Sequence, residues 1–474
     1  MKTRLLIPIY AVCLALTLPV FAQSESFLLG DWQGSLSVSG MDLHINFHIN
    51  RNESGELNAT MDSPDQGARG IPVSEVILNG DSLTLKVASV NGSYSGVLDN
   101  EKKSITGTWK QSGHEFALIL HPLTEADRVK RPQEPKPPFP YTSEDVTYRN
   151  EAANITLAGT LTIPESGGPF PAAVLISGSG AQNRDEEIFQ HKPFLVLSDF
   201  LTRRGIAVLR VDDRGVGGSE GSLSSSTSRD FAGDVYAGVS FLKQYPRIDK
   251  TMIGLIGHSE GGIIAPMVAA EHDDIAFIVL MAGTGLPGEE ILYMQGARIL
   301  KANGATDVMI EENRKTQEKI FNAVKKYDDE QTRVKKLREV LTTQVEALPE
   351  AERNSLGNVD QYINAQIHQV NNPWFRFFLT YDPRPTLRRV TCPVLAINGG
   401  RDLQVPAEAN ISEISKALEA GGSTQVSTHI FPGLNHLFQT AETGSPLEYG
   451  KIEETISPPV LDTIVQWIID LRKD

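Results

Sequence analysis

Five short runs in this chain are apolar at consecutive rather than alternate positions: AAVLISG (172–178), IAVLRVD (206–212), MIGLIGHS (252–259), IAFIVLMAG (275–283) and CPVLAINGG (392–400). A strand that is apolar on both faces has helices packed on both sides, so these runs predict a mostly parallel sheet in a doubly wound α/β unit. The segments near Val146–Tyr148 and Ile155–Ile163 precede them and read as an antiparallel lead-in.

The alternation stops between Met281 and Val394, where a charged and mostly helical stretch intervenes before strands resume at CPVLAING. An insertion between central strands, on the carboxyl edge of such a sheet, is where caps sit above a ligand crevice. A helical cap is therefore expected over 286–380. Its alternating charges also suit an exposed interaction arm.

The chain is too long for one core, because 474 residues exceed the roughly 100–200 residues of an ordinary domain. From about Ser26 to Leu120, β-rich runs such as LHINFHIN, SLTLKVASV and HEFALIL alternate with Gly, Asn, Asp and Ser turns. With GDWQGSL around Trp32 and GTWKQSG around Trp109, they predict a small antiparallel barrel or sandwich over 23–122. His44 and His48 share one strand face there, and a solvated face is favoured over a metal site because Ile45, Phe47 and Ile49 point to the other side. A polysaccharide or a hydrophobic molecule is the ligand considered for this unit. Pro122, Pro132, Pro135, Pro137, Pro138 and Pro140 then mark residues 123–141 as a stiff linker, followed by the α/β unit over 142–474.

Lys2 and Arg4 stand ahead of an apolar run, Leu5–Val20, that ends at Ala22, the pattern of a secretory leader (1–22) cleaved before Gln23. Pro8 and Pro19 interrupt a run already short for a membrane span. Export to the periplasm or beyond is expected. Of the two cysteines, Cys13 lies in the leader and only Cys392 remains, so the mature chain has no intrachain disulfide. Removing the leader takes two basic and no acidic residues, which moves the net charge from −15 to −17. That balance excludes nucleic acid and anionic membrane as ordinary partners.

The chemistry is concentrated at LIGHSEGG. Ser259 stands in Gly257-His258-Ser259-Glu260-Gly261, after the strand MIGLI and before the helix-forming IIAPMVAA. A strand-to-helix turn with small residues two positions either side of a serine is a nucleophile elbow. A serine hydroxyl needs a base to take its proton and a carboxylate to orient that base. Asp402, after VLAINGG, and His436, after QVSTHIFPG, follow in the required order at loop positions. His429, inside a strand, and Asp382, before Pro383, are the rivals set aside. For the oxyanion the first donor is the amide of Glu260. The second is taken as Ser179 in SGSGAQNRDE, with Gly180 as its neighbour alternative. Asn183, Arg184 and Asp185 are candidates for bracing that loop, and the aromatic cluster Trp374, Phe375, Phe377 and Phe378 either walls an acyl pocket or packs the cap. DRGVGGSEG (213–221) misses the dinucleotide-binding spacing, so no cofactor and no metal is called for.

Taken together, SGSGAQNRDE, VDDRGVGGSEG, GHSEGG, NGGRDLQVP and GLNH resemble bacterial secreted carboxylesterases of the α/β-hydrolase superfamily, over about residues 144–474. The resemblance implies an α/β-hydrolase fold with a helical cap behind a small all-β domain, and a serine esterase acting on short acyl esters. Ser259, Asp402 and His436 fall on its triad positions. Ser177-Gly178 stand where lipases carry His-Gly. The same fold serves prolyl-oligopeptidase-like peptidases, but 26–122 is far too short for their propeller. A non-catalytic binding protein on the same scaffold is the other alternative.

Overall fold

The computed structural model describes residues 27–472, apart from 39–40, 53, 65–67, 100, 112–113 and 125–129. The expected leader lies outside the described residues. The chain divides into two units, Met1–Arg128 and Val129–Asp474.

In the first unit, nine antiparallel strands among the described residues form one sheet. The first, Gly30–Val38, pairs with both the second, Met41–Arg51, and the ninth, His114–Pro122. The sheet's edge strands, Ala68–Pro72 and Glu75–Asn79, are consecutive in sequence. Only Val73 and Ser74 join them, each continuing the ladder on its own side: Val73 N–H donates to the Ala59 carbonyl at 3.0 Å and Ser74 N–H to the Lys86 carbonyl at 2.7 Å. The sheet thus curls until its edges meet. Alternation puts Trp32, Phe47, Tyr94 and Trp109 inside, all at most 2% exposed. These rings fill the interior and leave no lumen there, and nothing in this unit supports the polysaccharide or hydrophobic ligand considered for it.

On the outer face His48 stands between two carboxylates, with Nδ1 2.7 Å from Asp31 and Nε2 3.0 Å from Asp62. The hydrogen bond to Asp62 leads the effects that raise the His48 pKa to about 9, against the opposing cost of burial. A pKa raised by folding means stability that is complete below the unfolded value of about 6.5 and lost as pH rises through 9. Calorimetric Tm should fall between pH 7 and 10, and His48→Ala should flatten that fall. Equal slopes in the two proteins would rule the contribution out.

The second unit is built on eight strands, in the order Tyr141–Asn150, Ile155–Pro164, Ala207–Val211, Phe170–Ile176, Ile248–His258, Ile278–Met281, Val394–Gly399 and Val426–Phe431. Ile155–Pro164 is antiparallel to both neighbours and all other pairings are parallel. This is the α/β-hydrolase arrangement. Successive strand residues feed opposite cores: Ala172, Val174 and Ile176 face helices Ser228–Leu242 and Gly261–Ala269, whereas Ala173 and Leu175 face Pro193–Thr202 and Pro458–Asp470. That two-sided burial is why these strands read as unbroken apolar runs. Strand order reverses around Phe170–Ile176, so the loops after it and after Ile248–His258 open on the crevice at the carboxyl edge.

Helices from Gly288 to Thr380 occupy the insertion before Val394–Gly399. Phe321, Leu337, Leu341, Ile363 and Ile367 give them a core of their own. They form a compact body, not an extended arm. Among the described residues no helix is long and apolar enough to cross a membrane.

The proline-rich stretch departs from the expected linker over 123–141. Its second half belongs to the catalytic unit. Besides the carbonyl of its neighbour Lys130 (3.2 Å), the Arg131 guanidinium spreads over four carbonyls distant in sequence, those of Phe189 (3.0 Å), Gln190 (3.1 Å), Gly450 (3.1 Å) and Ile452 (2.8 Å). Gln133 donates to the Ile456 carbonyl at 2.6 Å and accepts from the Thr455 N–H at 2.6 Å. Proline content signals stiffness, and here the stiff segment is used as a strap.

Candidate active site

Ser259 follows the strand Ile248–His258 and precedes the helix Gly261–Ala269, with φ of +53°. That left-handed backbone is strained for a residue with a Cβ and is held by its surroundings. Its N–H donates to the Met281 carbonyl at 2.8 Å. The flanking glycines are sterically required. A Cβ on Gly257 would fall on the Gly261 carbonyl oxygen, and one on Gly261 would fall on that of Ile176.

Asp402 and His436 come together from the loops after Val394–Gly399 and Val426–Phe431. His436 Nδ1 lies 2.7 Å from Asp402 Oδ2, with both residues buried. The other carboxylate oxygen accepts the N–H groups of Gln404 and Val405, each at 2.8 Å. Asp402 is therefore fixed in orientation and fixes the ring in turn. His258, the residue before Ser259, has its ring centroid 4.9 Å from that of His436, which brings the elbow up against the loop that carries the histidine. No hydrogen bond joins the Ser259 hydroxyl to His436 here; such contacts tighten when substrate binds.

The rivals fall away on geometry. His429 is exposed on its strand and leans on Phe431, with ring centroids 4.2 Å apart. Asp382 is engaged by Arg384 through two contacts of 2.8 Å.

The loop after Phe170–Ile176 is pinned at several points. Ser177 Oγ donates to Asp213 at 2.7 Å, the Gln182 N–H to the same carboxylate at 3.0 Å, and the Gly178 N–H to Glu186 at 2.6 Å. The N–H groups of Ser179 and Glu260 donate to no described protein group, which leaves them available to an oxygen in the crevice. The expected bracing is present: Arg184 grips Asp212 (2.7 and 3.1 Å) and reaches the Gly159 carbonyl at 2.9 Å, while Asp185 pairs with Arg210. Burial pushes the Asp213 carboxyl up to about 7 and raises that of Glu260. With Arg214 and Phe231 these two acids line a cavity of about 50 Å³, room for a few waters and not for an acyl chain.

The cap reaches the site twice. Trp374 Nε1 donates to Glu260 Oε1 at 2.7 Å, where Ser228 Oγ also donates at 2.6 Å, and Gln295 bonds Gln404 at 3.2 Å. Phe378 packs with Ile263, Met267 and Ile291, whereas Phe375 turns into the cap's own core. The aromatic cluster thus packs the cap onto the elbow. Sequence reading missed Glu186, His258 and Asp213 as parts of the site. GHSEGG names His258 only as a spacer, and the other two are brought in by long-range loop contacts.

A family model for X-Pro dipeptidyl-peptidase (S15 family) matches residues 153–433, more than half of the chain. The chain belongs to this family. It is 28% identical over 333 residues to Esterase EstD of Thermotoga maritima, covering 70% of this chain and 68% of that protein. It is 31% identical over 144 residues to Polyketide transferase ATR5 of Stachybotrys chlorohalonatus, covering 30% of this chain and 44% of that protein. Among solved structures, an esterase of Pyrococcus furiosus, Pf2001, is 18% identical with a TM-score of 0.43, covering 70% of this chain and 91% of that one. The α/β hydrolase GrgF of Penicillium sp. sh18 is 16% identical with a TM-score of 0.43, covering 70% of this chain and 98% of that one.

Proposed function

We propose that the protein is a serine carboxylic ester hydrolase acting on short acyl esters. The observation that carries this reading is the Asp402–His436 hydrogen bond of 2.7 Å beside a serine held at φ +53° on a nucleophile elbow. The name of the Thermotoga relative, an esterase, supports the ester as the bond attacked. Ser259 Oγ adds to the ester carbonyl carbon as His436 takes its proton, and the Ser179 and Glu260 N–H groups receive the oxyanion. The tetrahedral intermediate expels the alcohol, which takes the proton from His436. Water, deprotonated by the same ring, then releases the acid and restores the serine. The apolar run behind Lys2 and Arg4 supports an exported enzyme.

The family match favours one second reading, release of X-Pro dipeptides by cleavage of the amide bond after the proline. Both are tested by measuring kcat/KM for acetyl to decanoyl aryl esters beside X-Pro arylamides. Fast turnover of the shortest esters with negligible arylamide cleavage is expected. Preference for the arylamides would transfer the assignment to the peptidase.

A further inference from the structure

Two buried groups that touch the site have no part in the steps above. Glu186 Oε1 accepts the Gly178 N–H at 2.6 Å and lies 2.9 Å from His258 Nδ1, and His258 Nε2 lies 3.0 Å from the His436 carbonyl oxygen. The two residues are 3% and 6% exposed. A neutral imidazole has one N–H and one lone pair, yet both partners of this ring are acceptors. A carboxylate oxygen is a better acceptor than an acid hydroxyl for the Gly178 N–H directed at Glu186 Oε1 at 2.6 Å, so the charged form suits both of its contacts. With Glu186 as the carboxylate, a ring protonated on both nitrogens satisfies every contact.

We propose that Glu186 and His258 are positioning residues: a buried carboxylate–imidazolium pair that locks the oxyanion loop to the loop carrying the catalytic histidine. This rests on the serine hydrolase reading of the site. One end of the chain of contacts fixes the Gly178 peptide, and with it the aim of the next amide, Ser179. The other fixes the His436 backbone, and with it the ring that must reach Ser259. Gly178 packs against all three neighbours, since a Cβ there would stand 3.3 Å from Glu186 Oε1, 3.3 Å from the Ser259 Cβ and 3.6 Å from His258 Nδ1.

The charged and titratable groups facing His258 are Glu186 and, from the loops after the last two strands, Asp402 and His436. Burial opposes charging the ring, but the Glu186 charge and hydrogen bond, with the His436 carbonyl, outweigh it and raise its pKa. The imidazolium side of the pair is therefore held to higher pH than in a free histidine, and the pair opens as pH rises past the raised value.

The test is nitrogen NMR on the full chain labelled at histidine, at pH 8. His258 should show two protonated ring nitrogens where an ordinary histidine is neutral. His48 should give a second such signal, and His48→Ala and His258→Gln identify which is which. A neutral His258 ring at pH 8 would overturn the proposal with no variant needed. In kinetics, Glu186→Gln keeps the shape and removes the charge, so kcat should drop about 10- to 100-fold with KM within about twofold. The deficit should be smaller at pH 6 than at pH 8. An unchanged kcat, or a deficit equal at both pH values, would also count against it. Activity surviving in Ser259→Ala would refute the hydrolase reading instead, and the NMR signature does not depend on that outcome.

Discussion

Ser259→Ala should lower kcat by about 10⁴- to 10⁶-fold while the protein still melts as the parent does, because a triad works as a unit and its nucleophile has no substitute. The serine sits at φ +53°, a backbone conformation that alanine shares the cost of adopting, so little folding energy changes with the hydroxyl. His436→Ala should be nearly as damaging. Asp402→Asn should fall short of both, since the Gln404 and Val405 N–H groups still hold one side-chain oxygen while the other side would present an amide N–H to the ring. His429→Ala is the control, exposed on its strand with no contact to Asp402. Aryl-ester turnover of the four purified variants, with calorimetry for folding, gives the ranking. Residual activity in Ser259→Ala within tenfold of the parent would remove the serine from the mechanism.

The parts legible in the sequence were those with a local or periodic cause. Strands buried on both faces, such as Ala172–Ile176, carry an unbroken apolar signature that only a helix-covered sheet explains. The elbow is legible because its backbone cannot be built without Gly257 and Gly261. Asp402 and His436 followed from chain order and from their places at strand ends. What stayed hidden depends on contacts between segments distant in sequence. Glu186 meets His258 across 72 residues, and His258 meets the His436 carbonyl across 178. No pattern in SGSGAQNRDE distinguishes the glutamate that closes this chain from the charged neighbours that brace the loop. The proline-rich segment misled for a related reason: composition reports how stiff a segment is, not what its arginine and glutamine bind.

Arg131→Ala in the full chain should destabilise the catalytic unit by about 2–4 kcal/mol, because hydrogen bonds to a charged group are worth roughly 1.5–3 kcal/mol each and the carbonyls regain water only in part. Arg131 joins two loops that the sheet itself does not connect. One side carries Phe189 and Gln190, both at positive φ, and the other carries Gly450 and Ile452. Between them His191, fully buried, bonds Thr455 Oγ1 at 3.0 Å and the Tyr449 carbonyl at 2.9 Å. Loosening this joint frees the stretch that begins at Glu186, so kcat should fall along with stability. Arg131→Lys should recover little of either, since an ammonium presents its donors from one point where the planar fork spans four carbonyls. A chain beginning at Tyr141 loses Gln133 as well and should be less stable than one beginning at Lys130. The comparison needs urea midpoints and ester turnover for the two shortened chains and the two point variants. If the chain beginning at Tyr141 matched the one beginning at Lys130 in both measurements, residues 130–140 would be a spacer, and the strap would have no mechanical role.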